Sequence, residues 1–116
     1  MPNMPTANFE ELLESACQAS NLLRALGNEY RLIILCHLLN GEHQVAELQE
    51  KIDLSQSSLS QHLARLRHEG LVKTRRESQA IFYSLAGDEV RQILEVLHSL
   101  YCAPGHTTDA RKPQVA

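Results

Sequence analysis

The chain has 116 residues, a formal net charge of −3 and 22% charged residues, which is the composition of one globular domain. It contains no run of about 18 apolar residues, so no membrane contact is expected. The acidic N-terminus lacks the basic start and apolar run of a signal peptide, which favours a cytoplasmic protein. No acid–base pair, phosphate-binding loop or cofactor motif is visible, so we expect neither an enzyme nor a bound cofactor.

The basic residues are concentrated in one part of the sequence. Residues 55–80 contain five basic and two acidic residues, whereas the remainder contains six basic and twelve acidic residues. Such segregation is expected when one surface binds a polyanion and the rest of the molecule repels it. A solvated surface is the alternative explanation.

Two helices are predicted in the N-terminal third. Apolar residues recur at three- and four-residue steps from Phe9 to Leu26, which indicates an amphipathic helix that stops near Gly27. Asn28 is a suitable N-cap for a second helix from Glu29 to Asn40. That helix is apolar nearly all round, so it is expected to be buried on most sides. Residues 1–8 are expected to be disordered.

A helix-turn-helix is predicted next. A short helix over Val45–Ile52 is followed by the tight turn Asp53-Leu54-Ser55, in which Ser55 caps the following helix, Gln56–Glu69. Leucines at positions 59, 63 and 66 form the inner stripe of that helix, and Gly70 ends it.

The period then changes to that of β-structure. Leu71–Glu77 and Ala80–Leu85 are rich in strand formers and predict a hairpin. A last helix is predicted from Gly87-Asp88 to the Pro104-Gly105 break, and residues 104–116 are expected to be a flexible tail. The fold class is therefore mainly α with a small β-hairpin: a winged helix-turn-helix over residues 9–103, with four helices, the hairpin and a fifth helix.

The candidate DNA-contacting residues lie on the fourth helix and the hairpin. Recognition helices place their N-terminal residues against base edges, and wings contact phosphates or the minor groove. Four serines within residues 55–60 lower helix propensity, which favours a binding role over a merely solvated face. In the hairpin the alternative is a charged edge that prevents strand pairing. The candidates are Ser55, Gln56, Ser57, Ser58, Ser60, Gln61, His62, Arg65, Lys73, Arg75, Arg76 and Gln79.

The segment from Leu22 to Tyr101 resembles the ArsR family of bacterial winged-helix repressors. The residues that carry the resemblance lie in Leu26–Leu35, in Leu54–Val72 and in the pairs Arg75-Arg76 and Phe82-Tyr83. The resemblance implies a homodimer on double-stranded operator DNA, held by the first and last helices and released by an inducer. The apolar stripes of those two helices agree with this. The predicted dimer residues are Leu12, Leu13, Ala16, Ile93, Leu94, Leu97, Leu100 and Tyr101.

The metal sites of this family have no counterpart in the sequence. Gln44 and Ala46 stand where the metal- and arsenic-binding members have a Cys-x-Cys pair. The ligand positions of the zinc-sensing members, along the last helix, match Gly87, Glu89, Leu100 and Ala103. No metal site is therefore predicted. A zinc-responsive repressor that uses Cys36, His98 and Cys102, with His106, is an alternative.

Cys36 and Cys102 resemble the cysteine pair of the BigR, SqrR and HlyU subgroup. In that subgroup two thiols sense reactive sulfur species or oxidants, and their oxidation weakens DNA binding. The resemblance implies a small persulfide, polysulfide or oxidant as the inducer. Cys102, at a helix end, is expected to react readily, and Cys36 is expected to be more sheltered. The alternatives are a structural role for Cys36, as for Cys17, and a winged-helix interaction module without a DNA target.

Overall fold

The computed structural model describes residues 8–102. The predictions for residues 1–7 and for residues 103–116, including the flexible tail, lie outside the described residues. The winged helix-turn-helix is confirmed, and the element limits differ from the predicted ones by two or three residues at most. The elements are α1 (Phe9–Leu26), α2 (Glu29–Leu38), α3 (Val45–Lys51), α4 (Gln56–His68), β1 (Val72–Glu77), β2 (Ala80–Leu85) and α5 (Asp88–Tyr101).

Short polar side chains begin three of the helices. The Asn8 side chain accepts a hydrogen bond from the Glu11 N–H at 2.8 Å, and the Asn8 N–H donates to the Glu11 carboxylate at 3.1 Å. Assigning Asn8 to a disordered N-terminus was therefore wrong, because this reciprocal pair starts α1. The Asn28 side chain accepts a hydrogen bond from the Arg31 N–H and caps α2, and the Ser55 hydroxyl accepts one from the Ser58 N–H and caps α4, as predicted.

The core lies between α2 and α4. Leucines or isoleucines at three- and four-residue steps on both helices are fully buried. Each such side chain contributes roughly 1.5–3 kcal/mol of burial free energy, so the packing of these two helices sets the position of α4. The core residues of the two helices are Ile34, Leu35, Leu38, Leu59, Leu63 and Leu66.

The second helix is covered on one side only, contrary to the prediction. Tyr30, Ile33 and Cys36 are exposed, although the sequence of α2 is apolar nearly all round. The physical reason lies in α1, which buries only its last two residues, Ala25 and Leu26. Because the rest of α1 is exposed, the remaining face of α2 stays uncovered.

The hairpin is antiparallel, with Val72 paired to Leu85 at its base and Glu77 to Ala80 at its tip. Ser78 in the turn has a φ of 56°, in the left-handed region that a non-glycine residue rarely adopts. A feature that the sequence analysis missed is a third, one-residue strand at His43. The His43 N–H donates to the Tyr83 carbonyl at 3.0 Å, and the Tyr83 N–H donates to the His43 carbonyl at 2.8 Å. These bonds join the loop between α2 and α3 to the wing.

Among residues 8–102 no helix combines the length and the hydropathy needed to cross a membrane.

Candidate nucleic-acid interface and thiol pair

The recognition surface of α4 is opposite its buried leucine stripe. Because the leucines at positions 59, 63 and 66 face the core, the polar residues between them point to solvent. Short hydrogen-bonding groups occupy the first two turns, and a cation follows one turn later. The predicted residues that the structure places on this exposed surface are Gln56, Ser57, Ser60, Gln61 and Arg65, with the cap Ser55.

Two predicted DNA residues lie beside this surface instead. Ser58 is half-buried and accepts a hydrogen bond from the Ser55 hydroxyl at 3.1 Å. His62 is half-buried, and its ring is stacked on that of Tyr30, with 6.2 Å between centroids. Burial, and then the charge of Arg31, lower the pKa of His62. Ser58 and His62 therefore fix α4 against its cap and against α2, and direct base contact is not supported for either.

An open cleft of about 440 Å³ separates α4 from the wing. It is lined by Ser60, Ala64, Arg67, His68 and Tyr83. Sequence reasoning named only the first of these as a DNA residue. Arg67 and His68 could have been identified from the sequence by their position on the last turn of the recognition helix, beyond the serine-rich segment.

The wing carries exposed polar side chains. Lys73, Arg76 and Gln79 are exposed, as a phosphate or minor-groove contact requires. The three ion pairs found among the described residues use the cations Arg65 and Arg75. Lys73 and Arg76 therefore remain available to an external anion.

Arg75, a predicted DNA residue, is paired with carboxylates of its own chain. Its Nε and Nη2 atoms donate to the two carboxylate oxygens of Glu42, each at 2.9 Å. Its Nη1 donates to Glu77 at 2.7 Å, and its guanidinium carbon lies 4.6 Å from the centroid of the Phe82 ring. A planar guanidinium suits this two-point pairing. Arg75 therefore joins the wing to the loop before α3, alongside the backbone bridge at His43.

The hydrogen bonds from Arg75 lower the pKa of Glu42 below its ordinary value. Partial desolvation opposes this shift, and the charges of Arg75 and then Lys73 add to it. Hydrogen bonds to Glu42 and Glu77 raise the pKa of Arg75, which stays charged at every physiological pH.

The two sensor candidates lie on different helices. Cys36 is on α2, and Cys102 is the C-cap residue of α5, where its N–H donates to the His98 carbonyl at 2.8 Å. Both thiols are exposed, and Cys36 is the one of the two that also lines a cleft. Partial burial raises the pKa of the Cys36 thiol, and the charge of Cys102 raises it further. Cys36 and His98 line one cleft between α2 and α5, and His98 lies one turn before Cys102, so the two cysteines flank the same region of these helices.

Cys17 is also exposed, but it lies on α1 and has no part in this pair. Between residues 8 and 102 no group of three or more His, Cys, Asp or Glu side chains is arranged to hold a metal. His106, named for the zinc alternative, lies outside the described residues. No observation in the described part of the chain therefore favours metal sensing.

Large apolar side chains are exposed on both α1 and α5. Leu12 and Leu13 are 52% and 57% exposed, and Leu100 and Tyr101 are 52% and 55% exposed. On these two helices the structure adds three exposed residues that the dimer prediction did not include: Phe9, Leu23 and Val96.

The predicted dimer residues do not all belong to this surface. Ala16 is exposed, whereas Ile93 and Leu97 are half-buried at its border. Leu94 is fully buried by its own chain, so its assignment to the dimer surface was wrong. It lies on the side of α5 that packs on the core.

A recognition helix with an exposed polar surface, preceded by a tight turn and followed by a cationic wing, defines a winged-helix DNA-binding protein. The sequence profile for "Bacterial regulatory protein, arsR family" matches residues 28–74. The chain is 52% identical over 95 residues to the transcriptional activator HlyU of Vibrio cholerae, which covers 82% of this chain and 88% of HlyU. The chain belongs to the arsR family of bacterial transcription regulators.

Two further similarities support this assignment. The biofilm growth-associated repressor of Agrobacterium fabrum is 44% identical over 89 residues, which covers 77% of this chain and 76% of the repressor. The solved structure of reduced HlyU from Vibrio cholerae superposes with a TM-score of 0.78 at 50% identity, over 82% of this chain and all of that one. These relatives are transcription regulators, which confirms that the chain is not an enzyme.

The carboxyl of Glu42 should titrate below the ordinary glutamate range in the wild type, and Arg75→Gln should raise the midpoint because the two hydrogen bonds are removed. Since the folded-state pKa is depressed, the stabilising effect is present above the unfolded pKa and is lost as the pH falls through the folded value. Carbon-detected NMR titration measures the midpoint, and Arg76→Gln is the matched control. An unchanged midpoint in Arg75→Gln would show that the pair does not form in solution.

Proposed function

We propose that this regulator is a homodimeric repressor that leaves its operator when Cys36 and Cys102 of one chain become linked through sulfur. The observation that carries the proposal is the pair of exposed thiols on α2 and α5, the two helices that line one cleft beside Cys36. Of these helices, α2 packs against the recognition helix and α5 carries part of the exposed apolar surface. One similar solved structure is that of reduced HlyU, so HlyU has a redox state that was named for its structure.

The exposed apolar side chains of α1 and α5 support a homodimer. An exposed apolar stripe along two helices is unfavourable in water and commonly marks an interface. The capping box gives α1 a well-formed start, yet only its last two residues are buried. A second copy that covers this stripe would supply the missing burial. Because most oligomers of identical chains have twofold symmetry, such a dimer would present two recognition helices to a palindromic site.

On operator DNA the exposed side chains of α4 and the wing have separate roles. Gln56 and Gln61 suit adenine edges, and Ser57 and Ser60 suit either bases or phosphates. The other exposed residues suit contacts with the sugar–phosphate backbone. They are Ser55 at the helix start, Arg65, Lys73, Arg76 and Gln79. A dimer bound to an operator that overlaps a promoter would exclude polymerase, which gives repression.

The thiol chemistry begins with Cys102. The raised pKa of Cys36 leaves less of it as the thiolate, which is the nucleophile in sulfur transfer. Cys102 attacks the outer sulfur of a hydropersulfide R–S–SH, so that an S–S bond forms on Cys102 while the donor S–S bond breaks and RS⁻ leaves with the electron pair. The Cys36 thiolate then attacks the Cys102 sulfur atom and expels HS⁻, which gives a disulfide. Two thiols are oxidised and one sulfane sulfur is reduced to sulfide.

A longer bridge forms if Cys102 receives a second sulfane sulfur before Cys36 attacks. Attack on the middle sulfur of Cys102–S–S–SH then expels HS⁻ and leaves a trisulfide. A disulfide needs Cα atoms within about 7 Å, whereas each added sulfur lengthens the reach. Linking α2 to the end of α5 shifts the helix that carries part of the dimer surface. Half-sites require a fixed separation of the recognition helices, so a small shift lowers affinity.

The DNA assignment predicts two kinds of weaker binding. Gln61→Ala should weaken operator binding by about 1–3 kcal/mol, because a base-specific hydrogen-bonding group is removed, and affect random DNA much less. Arg76→Gln should weaken both and reduce the salt slope by about 0.9 for each phosphate that is no longer neutralised. Fluorescence anisotropy at several salt concentrations measures both effects. Unchanged operator preference in Gln61→Ala would place the recognition surface elsewhere.

The dimer assignment predicts that Leu100→Asp yields monomers, because it places a charge in an apolar interface. Leu100 is 52% exposed in the single chain, so the fold itself should survive. Sedimentation velocity measures the oligomeric state, and circular dichroism reports the fold. Gln49→Asp, an added charge at an exposed polar position of α3, is the control. A folded Leu100→Asp dimer would contradict this interface.

The thiol assignment predicts the behaviour of three serine variants. Cys36→Ser and Cys102→Ser should bind operator when reduced and stay bound after a persulfide donor is added, because neither can form the bridge. Cys17→Ser is the matched control and should be released like the wild type. Operator gel shifts before and after treatment measure release. If either sensor variant is released as readily as the wild type, the two-thiol mechanism is wrong.

A further inference from the structure

The Cys36 thiol opens into a cleft between α2 and α5. The cleft has a volume of about 350 Å³ and is lined by Cys36, Leu39, Asn40, Arg91, Glu95 and His98. This volume lies within the range of small-ligand sites, roughly 300–1,000 Å³. The walls combine an apolar side chain, an amide, a cation and a carboxylate around the thiol. The chemistry of the lining therefore points to a small ligand with charges of both signs.

Arg91 and Glu95 are the charged pair of this cleft. They are one turn apart on α5, a spacing at which oppositely charged side chains often pair. Nevertheless, the ion pairs formed within residues 8–102 include neither of them. Arg91 is half-buried, which strengthens its interaction with an anion relative to a fully solvated cation. Both charges are thus available to a ligand.

We propose that this cleft binds the amino-acid part of a low-molecular-weight persulfide, with Arg91 on its carboxylate and Glu95 on its ammonium group. The proposal rests on the proposed function, since it names the inducer class of that thiol site. Asn40 supplies an amide for further hydrogen bonds, and Leu39 lies against the methylene group. The sulfur end of a ligand held in this way is directed toward the thiols. Hydrogen peroxide carries neither charge and gains nothing from this cleft.

The cleft also fits the products of sulfur transfer. When the Cys102 thiolate takes the outer sulfur of cysteine persulfide, the donor S–S bond breaks and cysteine leaves as its thiolate. The leaving molecule keeps its carboxylate and ammonium group, so Arg91 and Glu95 hold it in the same orientation during bond cleavage. Arg91 is therefore a positioning residue for the donor and does not itself take part in the chemistry.

The test uses the reduced full chain and a matched pair of donors. Cysteine persulfide carries the carboxylate, and cysteamine persulfide lacks it. Mass spectrometry follows sulfur addition at Cys36 and Cys102, and each rate is divided by that of the same donor at Cys17, which corrects for intrinsic donor reactivity. The wild type should prefer cysteine persulfide, and Arg91→Gln should reduce this preference about fivefold to tenfold. Arg91→Lys, which keeps the charge, should restore part of it.

Arg24→Gln, which removes an exposed arginine from the last turn of α1, is the control and should keep the wild-type preference. If wild type and Arg91→Gln treat the two donors alike, the assignment of the cleft is overturned while the thiol mechanism stands. If neither donor adds sulfur to Cys36 or Cys102, the proposed function is overturned and the donor site with it.

Discussion

The packing of α2 against α4 is the interaction on which the rest of the molecule depends. One face of α2 is buried against the recognition helix, and the opposite face carries Cys36 at the surface. At its N-terminus Arg31 donates to the carbonyls of Ala25, at 2.6 Å, and Arg24, at 3.0 Å, which ties α2 to the end of α1. The adjacent Tyr30 stacks on His62 of α4. A displacement of α2 therefore reaches both α1 and the recognition helix.

The wing is positioned from the same side of the molecule. The loop that follows α2 supplies the backbone bridge at His43 and the carboxylate of Glu42 that holds Arg75. These interactions fix the hairpin, whereas Lys73 and Arg76 on it form no ion pair in the described part of the chain. An exposed ion pair contributes little to stability by itself. The ion pair between Arg75 and Glu42 matters here for geometry, because it fixes the direction in which Lys73 and Arg76 point.

Periodicity was sufficient to predict the fold. The leucine stripe of α4, its serine cap and the change of period after Gly70 each have a local physical cause, and the structure confirms all three. Side-chain assignments were less predictable. The partner of Arg75 is 33 residues away in the sequence, so no local pattern could distinguish a wing anchor from a phosphate ligand. Leu94 and Leu100 belong to one apolar stripe in the sequence. Only the angle at which α5 packs on the core determines which of the two leucines is buried within the single chain.

The same limit explains why α2 was expected to be buried on most sides. A helix that is apolar all round must be covered on all sides, but the sequence does not say whether its own chain or a second copy provides the cover. In the single chain α1 buries too little to do so, and the thiol lies at the surface beside a cleft. The exposed apolar face and the exposed thiol are thus consequences of one packing arrangement. The proposed mechanism depends on this arrangement, because it places the thiol beside the face that the proposed dimer would cover.

The most direct measurement is the distance between the two recognition helices of the proposed dimer before and after sulfur linkage. A ketone-bearing amino acid at position 68, at the exposed end of α4, accepts a nitroxide without modifying the cysteines, and pulsed electron paramagnetic resonance then gives the distance distribution. We expect one distribution for the reduced dimer and a displaced one after treatment with a persulfide donor, with no displacement in Cys102→Ser. An identical distribution in the treated wild type, with the Cys36–Cys102 bridge verified by mass spectrometry and the operator released, would contradict this mechanism.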